Sequence, residues 1–242
     1  MRIAGYIKTS LIEWPGKIAS VIFTSGCNFK CPFCHNADLV ADLKRGLTLI
    51  PEERIFADLA SRKGWVETVV VTGGEPTLQK DLVKFLKALK ELKLLIAIHT
   101  NGTNPKVIKR LLKEKLLDFI AMDLKGDLEN YEKYTNVQCK MYNLQKSIEL
   151  IIKSGVEYEF RTTVVPGLHD IKNLICLAEQ IKFLVQSSKF KVQSCRWLLQ
   201  QFRPMNCLDK KYLQIKPYSK EEMETILRSV KEIVPETYLR GV

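Results

Sequence analysis

Three cysteines fall within eight residues, Cys27-Asn28-Phe29-Lys30-Cys31-Pro32-Phe33-Cys34, spaced C-x3-C-x2-C. An apolar run over 18–23 precedes them and reads as a strand, and Gly26 lets the chain turn before the first thiol. A loop this short wraps its thiolates around one face of a compact inorganic group. Soft thiolates select iron–sulfur clusters or zinc. A four-iron cube takes one ligand per iron, so three cysteines leave one iron open to something other than protein. A closed structural zinc site takes four ligands.

Other readings compete at these residues. His35 could complete a Cys3His zinc set, although neighbours such as Cys34 and His35 rarely both reach one tetrahedral ion. Cys31-Pro32-Phe33-Cys34-His35 also matches the C-x-x-C-H of haem attachment, a chemistry of exported proteins. The thiols could also be core residues that happen to cluster. Four further cysteines (Cys139, Cys176, Cys195 and Cys207) are scattered without ligand spacing, and the total of seven is odd. That suits a reducing cytosol better than a disulfide framework, and a cytoplasmic location is expected. The first residues lack a signal-peptide pattern, and no apolar run is long enough to span a membrane.

The chain alternates strand and helix. Strand patterns lie at 18–24, 67–72, 94–99, 118–124, 156–165 and near 191–199. Helix patterns lie at 52–62, 78–92, 105–115, 141–154, 171–184 and 220–234, with 1–17 and 36–50 left irregular. Six such units predict a parallel α/β sheet with right-handed crossovers, in one domain over 1–242. They are too few for a closed eight-fold barrel, so an open, partial (β/α)6 TIM-like barrel is expected. Ligands would then sit at the strand C-termini. Cys27, Gly73, Thr100, Asp123 and Arg161 all fall at or near such ends.

With an aromatic residue before its last cysteine, the loop resembles that of the radical S-adenosylmethionine (SAM) superfamily. The resemblance implies a [4Fe–4S] cluster held by Cys27, Cys31 and Cys34, with SAM chelating the open iron. It also implies that Gly73, Gly74 and Glu75 match the superfamily's GGE contact to the SAM amino group. Without it, that stretch is a strand-to-helix turn. Thr100 and Asn101 could bond the SAM carboxylate or ribose, and Lys125 could pair with the carboxylate. Asp123 shares a strand face with Lys125, or is a solvated strand-end acid. Arg161 and Thr163 could bind SAM or position a partner. Phe33 could stack near the adenine, or pack the loop.

The resemblance narrows further along the chain. Gly73-Gly74-Glu75-Pro76, Thr100-Asn101-Gly102, Met122-Asp123-Leu124-Lys125 and Val164-Val165-Pro166-Gly167 together resemble the glycyl-radical-enzyme activating proteins. The head, Ile12-Glu13-Trp14-Pro15-Gly16-Lys17, and the tail, Gln201-Phe202-Arg203-Pro204 with Cys207-Leu208-Asp209, are most similar to those for anaerobic ribonucleoside-triphosphate reductase. The chain lacks the ferredoxin-like insertion some activases carry between the equivalents of Cys34 and Gly73. His99 stands where pyruvate formate-lyase activases carry an Asp, and their late histidine has no counterpart around Gln200-Gln201-Phe202. The implied activity is reductive SAM cleavage that places a glycyl radical on the reductase. A low-potential flavodoxin or ferredoxin would supply the electron. Activation of another glycyl radical enzyme, or radical chemistry on RNA or a nucleotide, are the alternatives. The net charge of +11 allows an anionic partner, but no nucleic-acid-binding motif is recognisable and many lysines punctuate helices. An iron–sulfur electron carrier or a zinc-binding module is the non-enzymatic reading.

Overall fold

A computed structural model describes residues 1–40, 48–187 and 195–242. Its eight strands form one sheet in chain order. β1 (Ile3–Ser10) runs antiparallel to β2 (Ala19–Thr24). Parallel pairing then continues through β3 (Thr68–Gly73), β4 (Leu95–Thr100), β5 (Phe119–Asp123), β6 (Glu157–Val164), β7 (Trp197–Gln201) and β8 (Thr237–Arg240). Parallel neighbours need long crossovers. Short α1 (Ala37–Val40), α2 (Glu52–Ser61), α3 (Leu82–Glu91), α4 (Pro105–Lys113), short α5 (Tyr131–Thr135), α6 (Met141–Ile152), α7 (Ile171–Ser187) and α8 (Lys220–Lys231) lie in them.

Side chains alternate across the sheet and give it two different faces. Val69, Val71, Ile96, Ile98, Ile120, Met122 and Phe160 join the helix layer in the main core. On α3, Leu82, Phe85, Leu86 and Leu89 follow the helical stripe and are at most 1% exposed. Each stabilises the fold by about 2 kcal/mol. The opposite face carries small residues, Ala19, Val21, Val70, Ala97 and Ala121, closed off by Trp14, which stacks on Phe119 at 5.4 Å. Further along these strands the same face turns polar, with His99, Asp123, Arg161, Thr163 and Gln200. That polar half holds the site.

The six expected strands are β2 to β7, and the open α/β sheet of the partial barrel is present. Two edge strands extend it. β1 shows little period-two signal because, as an edge strand, it fully buries only Ile3. β8 has four residues, too few to stand out from the tail. The helix expected from 78 begins at Leu82, because Pro76–Leu78 closes a 3-10 turn first. The sixth strand begins at Trp197, and the expected residues 191–194 lie outside the described residues. No helix among the described residues is long and apolar enough to cross a membrane.

Candidate functional site

The strand C-termini surround a cavity of about 200 Å³. Cys27, Cys31 and Cys34 line it, with Cys31 only 5% exposed. The loop is shaped by its backbone. Gly26 takes φ +87° on leaving β2, a conformation that favours glycine. The Cys34 N–H donates to the Cys31 carbonyl at 3.1 Å, folding the last two thiols onto one turn. The Lys30 N–H donates to Thr135 O at 2.9 Å and anchors the loop to α5. Burial pushes the Cys27 thiol up to about 11 and the Cys31 thiol up to about 12. A metal that takes them as thiolates must therefore displace their protons.

The Gly-Gly turn after β3 lies against this loop. Gly74 N–H donates to Thr24 O and Glu75 N–H to Gly26 O, both at 2.8 Å. A Cβ on Gly74 would come within 1.9 Å of the Gly26 carbonyl oxygen, so only glycine permits this approach. Asn36 Nδ2 donates to Gly73 O at 3.0 Å and closes the turn from the other side. Both glycines line the cavity.

Glu75 does not face it. Its carboxylate is fully buried and accepts from Thr77 N–H, Thr77 Oγ1, Thr100 Oγ1 and Asn101 N–H. Burial raises its pKa, and these donors oppose the rise. The carboxylate expected to meet a ligand ammonium is thus engaged by Thr77, Thr100 and Asn101. Glu75 positions the Thr100-Asn101 turn, while the backbone of Gly73 and Gly74 faces the cavity. Glu75→Gln turns an N–H group toward donors already in place. We expect it to lower stability by about 2 kcal/mol, read as a shifted urea midpoint.

Two charged pairs share the polar face. Lys125 Nζ contacts Asp123 Oδ2 at 2.8 Å. Burial works against the lysine charge, but Asp123 first, with Cys31 and Cys34 nearby, outweighs it and raises its pKa. Arg161 is 6% exposed and donates to Glu159, to His99 Nδ1 at 3.2 Å and to Glu13 O at 3.3 Å. His99 Nε2 lies 3.1 Å from that same carbonyl, which can only accept. Nε2 therefore carries the proton and Nδ1 accepts from the guanidinium. Burial first, then Arg161 and Arg240, hold His99 well below its usual pKa, so it is neutral.

Beneath the site, His169 joins three loops. It accepts from Val165 N–H at 3.1 Å, its Nε2 donates to Lys125 O at 2.8 Å, and its ring packs on Tyr134 and the edge of Phe33. Burial lowers its pKa from 6.5 to about 4. The unfolded chain therefore takes up this proton first, and stability falls as pH drops from about 6.5 toward about 4. We expect this histidine to contribute a loss of about 2 kcal/mol between pH 7 and pH 5, flattened in His169→Gln, in urea melts of the cluster-free protein.

The structure gathers Cys27, Cys31, Cys34, Phe33, Gly73, Gly74, Thr100, Asn101, Asp123, Lys125 and Arg161 around one cavity and leaves Glu75 behind it. Phe33 is 4% exposed and meets the His169 ring edge-on at 6.1 Å, a packing contact of the loop. Sequence reasoning did not assign Asn36, His99 or Gln200 to the site. His99 and Gln200 were within reach through strand alternation, since His99 shares a face with Asn101. Asn36 carries no local signal. Among the described residues no three His, Cys, Asp or Glu side chains meet where one metal ion could sit. The thiols line one volume together with His35, whose ring stacks on Phe202 at 5.9 Å. Three soft donors around one volume, with Lys125 beside them, fit an iron–sulfur cluster.

The profile of the radical SAM superfamily matches residues 21–174. A candidate glycyl-radical enzyme activating enzyme of Methanocaldococcus jannaschii is 32% identical over 99% of this chain and 96% of its own length. The pyruvate formate-lyase-activating enzyme of Clostridium pasteurianum is 30% identical over 96% of this chain and 98% of its own. Among solved structures, Streptococcus suis SuiB bound to S-adenosylmethionine shares the fold, with TM-score 0.67 and 19% identity over 91% of this chain and 50% of that one. The chain belongs to the radical SAM superfamily and, within it, to the glycyl-radical enzyme activating enzymes, whose cofactors are a [4Fe–4S] cluster and SAM.

Proposed function

We propose that this protein installs a glycyl radical on an anaerobic ribonucleoside-triphosphate reductase, taking its electron from a low-potential flavodoxin or ferredoxin in the cytoplasm. The observation that carries the reading is the convergence of Cys27, Cys31 and Cys34 with Gly73, Gly74, Asn101, Lys125 and Arg161 on one cavity. In this reading the three thiolates hold the cluster and leave one iron for SAM. When bound, the cluster supplies the electron that cleaves SAM to methionine and a 5′-deoxyadenosyl radical, which takes a hydrogen from a glycine Cα of the partner. Carbonyls of the Gly73-Gly74 turn accept from the SAM ammonium. Lys125, held by Asp123, faces the SAM carboxylate, with Asn101 and Thr100 as further polar partners. Phe33 and the buried thiol walls keep water from the reacting carbon. Arg161, tied to Glu159, His99 and Glu13, fixes a positive charge deeper in the barrel.

The choice of partner rests on the head, 12–17, and on the tail from Gln201 to Pro204 with Cys207, Leu208 and Asp209. A pyruvate formate-lyase-type partner is the second reading, favoured by the Clostridium relative. Each enzyme would be incubated with the reduced, reconstituted protein and SAM, and the glycyl radical read by electron paramagnetic resonance. A signal on the reductase alone supports the proposal. A signal on the lyase alone overturns it in favour of the second reading.

A further inference from the structure

Reductive cleavage consumes one electron that must enter from outside, and the cavity mouth is needed for SAM and the partner's glycine. We propose that the outer side of the cysteine loop, where it meets the start of α4 and α6, is the docking surface for a small acidic one-electron carrier protein. This rests on the radical SAM reading above. The carrier loses one electron to the cluster in that step, and no proton need move.

The geometry on that side is closed and well tied. Asn28 Nδ2 donates to Thr103 Oγ1 at 2.9 Å, and Asn143 Nδ2 donates to Thr103 O at 3.2 Å. The loop that carries the thiols, the turn before α4 and the first turn of α6 therefore form one continuous surface. Lys30 stands exposed in the loop itself, between Cys27 and Cys31. Lys106, Lys109 and Lys113 follow along one stripe of α4, and Lys140 sits at the start of α6, all exposed. None of these lysines makes an ion pair among the described residues, whereas Lys87, Lys90 and Arg110 nearby are paired. Tyr142, 71% exposed, stands beside Lys140 as an aromatic anchor of the kind that dominates binding energy in interfaces. Electron transfer weakens steeply with distance, so a carrier gains most by docking on the loop that holds the acceptor. A positive patch there draws an acidic carrier and speeds its encounter. This surface adjoins the cavity, since Asn28 Oδ1 accepts from the cavity-lining Asn101 at 2.8 Å.

The test uses the full-length protein with an acidic flavodoxin as probe. Oxidised flavodoxin is titrated into the cluster-free protein by calorimetry, at low and at moderate salt. We expect binding that weakens with salt, and a Kd about tenfold higher in Lys106→Glu/Lys140→Glu and in Tyr142→Ala. A charge-matched pair on α8, Lys220→Glu/Lys231→Glu, is expected to leave binding unchanged. In the reconstituted protein, reduced flavodoxin should drive SAM cleavage about tenfold less well in Lys106→Glu/Lys140→Glu, while dithionite drives it within about twofold of the parent. Unchanged flavodoxin binding overturns the proposal, as does equal weakening by the α8 pair, which would make it a matter of net charge alone. A parallel loss with dithionite would overturn it as well, by showing a damaged site. Binding of a short RNA duplex that depends on these lysines, with none to flavodoxin, would reassign the face to nucleic acid. Failure of the parent to cleave SAM with dithionite and the reductase present would bring down the activase reading itself, a result separate from any loss of flavodoxin binding.

Discussion

Cys27→Ala, Cys31→Ala and Cys34→Ala should each reduce SAM cleavage to background after anaerobic reconstitution. The three thiols are the soft donors lining the cavity, and the described residues offer no fourth cysteine there to replace a lost one. His35 cannot substitute without leaving its stack on Phe202. With one thiol removed, only two of the three cysteines would remain to hold a cluster, so both its absorbance and its retention should fall with the activity. Cys176→Ala is the matched control. That thiol lies on α7, bonded by Gln180 Nε2 at 3.5 Å and away from the cavity, and its loss should leave cleavage largely intact. Iron content, the visible spectrum and 5′-deoxyadenosine are measured together. Retained cleavage in any of the first three variants would remove the cluster assignment.

Gly74→Ala should be nearly as damaging, although it removes no ligand. The added methyl would lie 1.9 Å from Gly26 O and 3.2 Å from Cys27 N, both backbone atoms that no side-chain rotation can clear. The Gly-Gly turn and the cysteine loop must then separate, breaking the Glu75 N–H bond to Gly26 O. Overpacking of this kind costs about 3 kcal/mol, and here the strain falls between the two segments proposed to hold cluster and SAM. We expect iron loading to drop and SAM affinity to fall at least about tenfold, read by equilibrium binding on protein with matched iron content. Gly64→Ala serves as the contrast, since nothing lies within 4 Å of its Cβ position and only its positive φ is strained. SAM affinity unchanged in Gly74→Ala would show that this turn does not shape the pocket.

The cysteine spacing and the strand ends were readable because each is local. A strand declares itself through β-branched runs such as Thr68-Val69-Val70-Val71, and its C-terminus marks where a loop must face the ligand side. That was enough to bring eleven residues to one cavity. Glu75 shows where locality stops. An acid after two glycines reads as a ligand contact, but Thr77, Thr100 and Asn101 turn it inward, and their arrangement depends on tertiary packing. The place of Glu13 beside His99 and Arg161 was out of reach for the same reason. Glu13 and Arg161 lie 148 positions apart, joined only because the head segment folds into the barrel. The edge strands were missed because they bury little, so their sequences carry little periodicity.

One measurement tests the central claim most directly. The protein is reconstituted with iron and sulfide under anaerobic conditions, reduced with dithionite, and given SAM together with the reductase, and 5′-deoxyadenosine is quantified. The account predicts product that depends on the cluster, on SAM and on all three of Cys27, Cys31 and Cys34. A fully loaded cluster with SAM bound and the reductase present, yielding no 5′-deoxyadenosine, would contradict it.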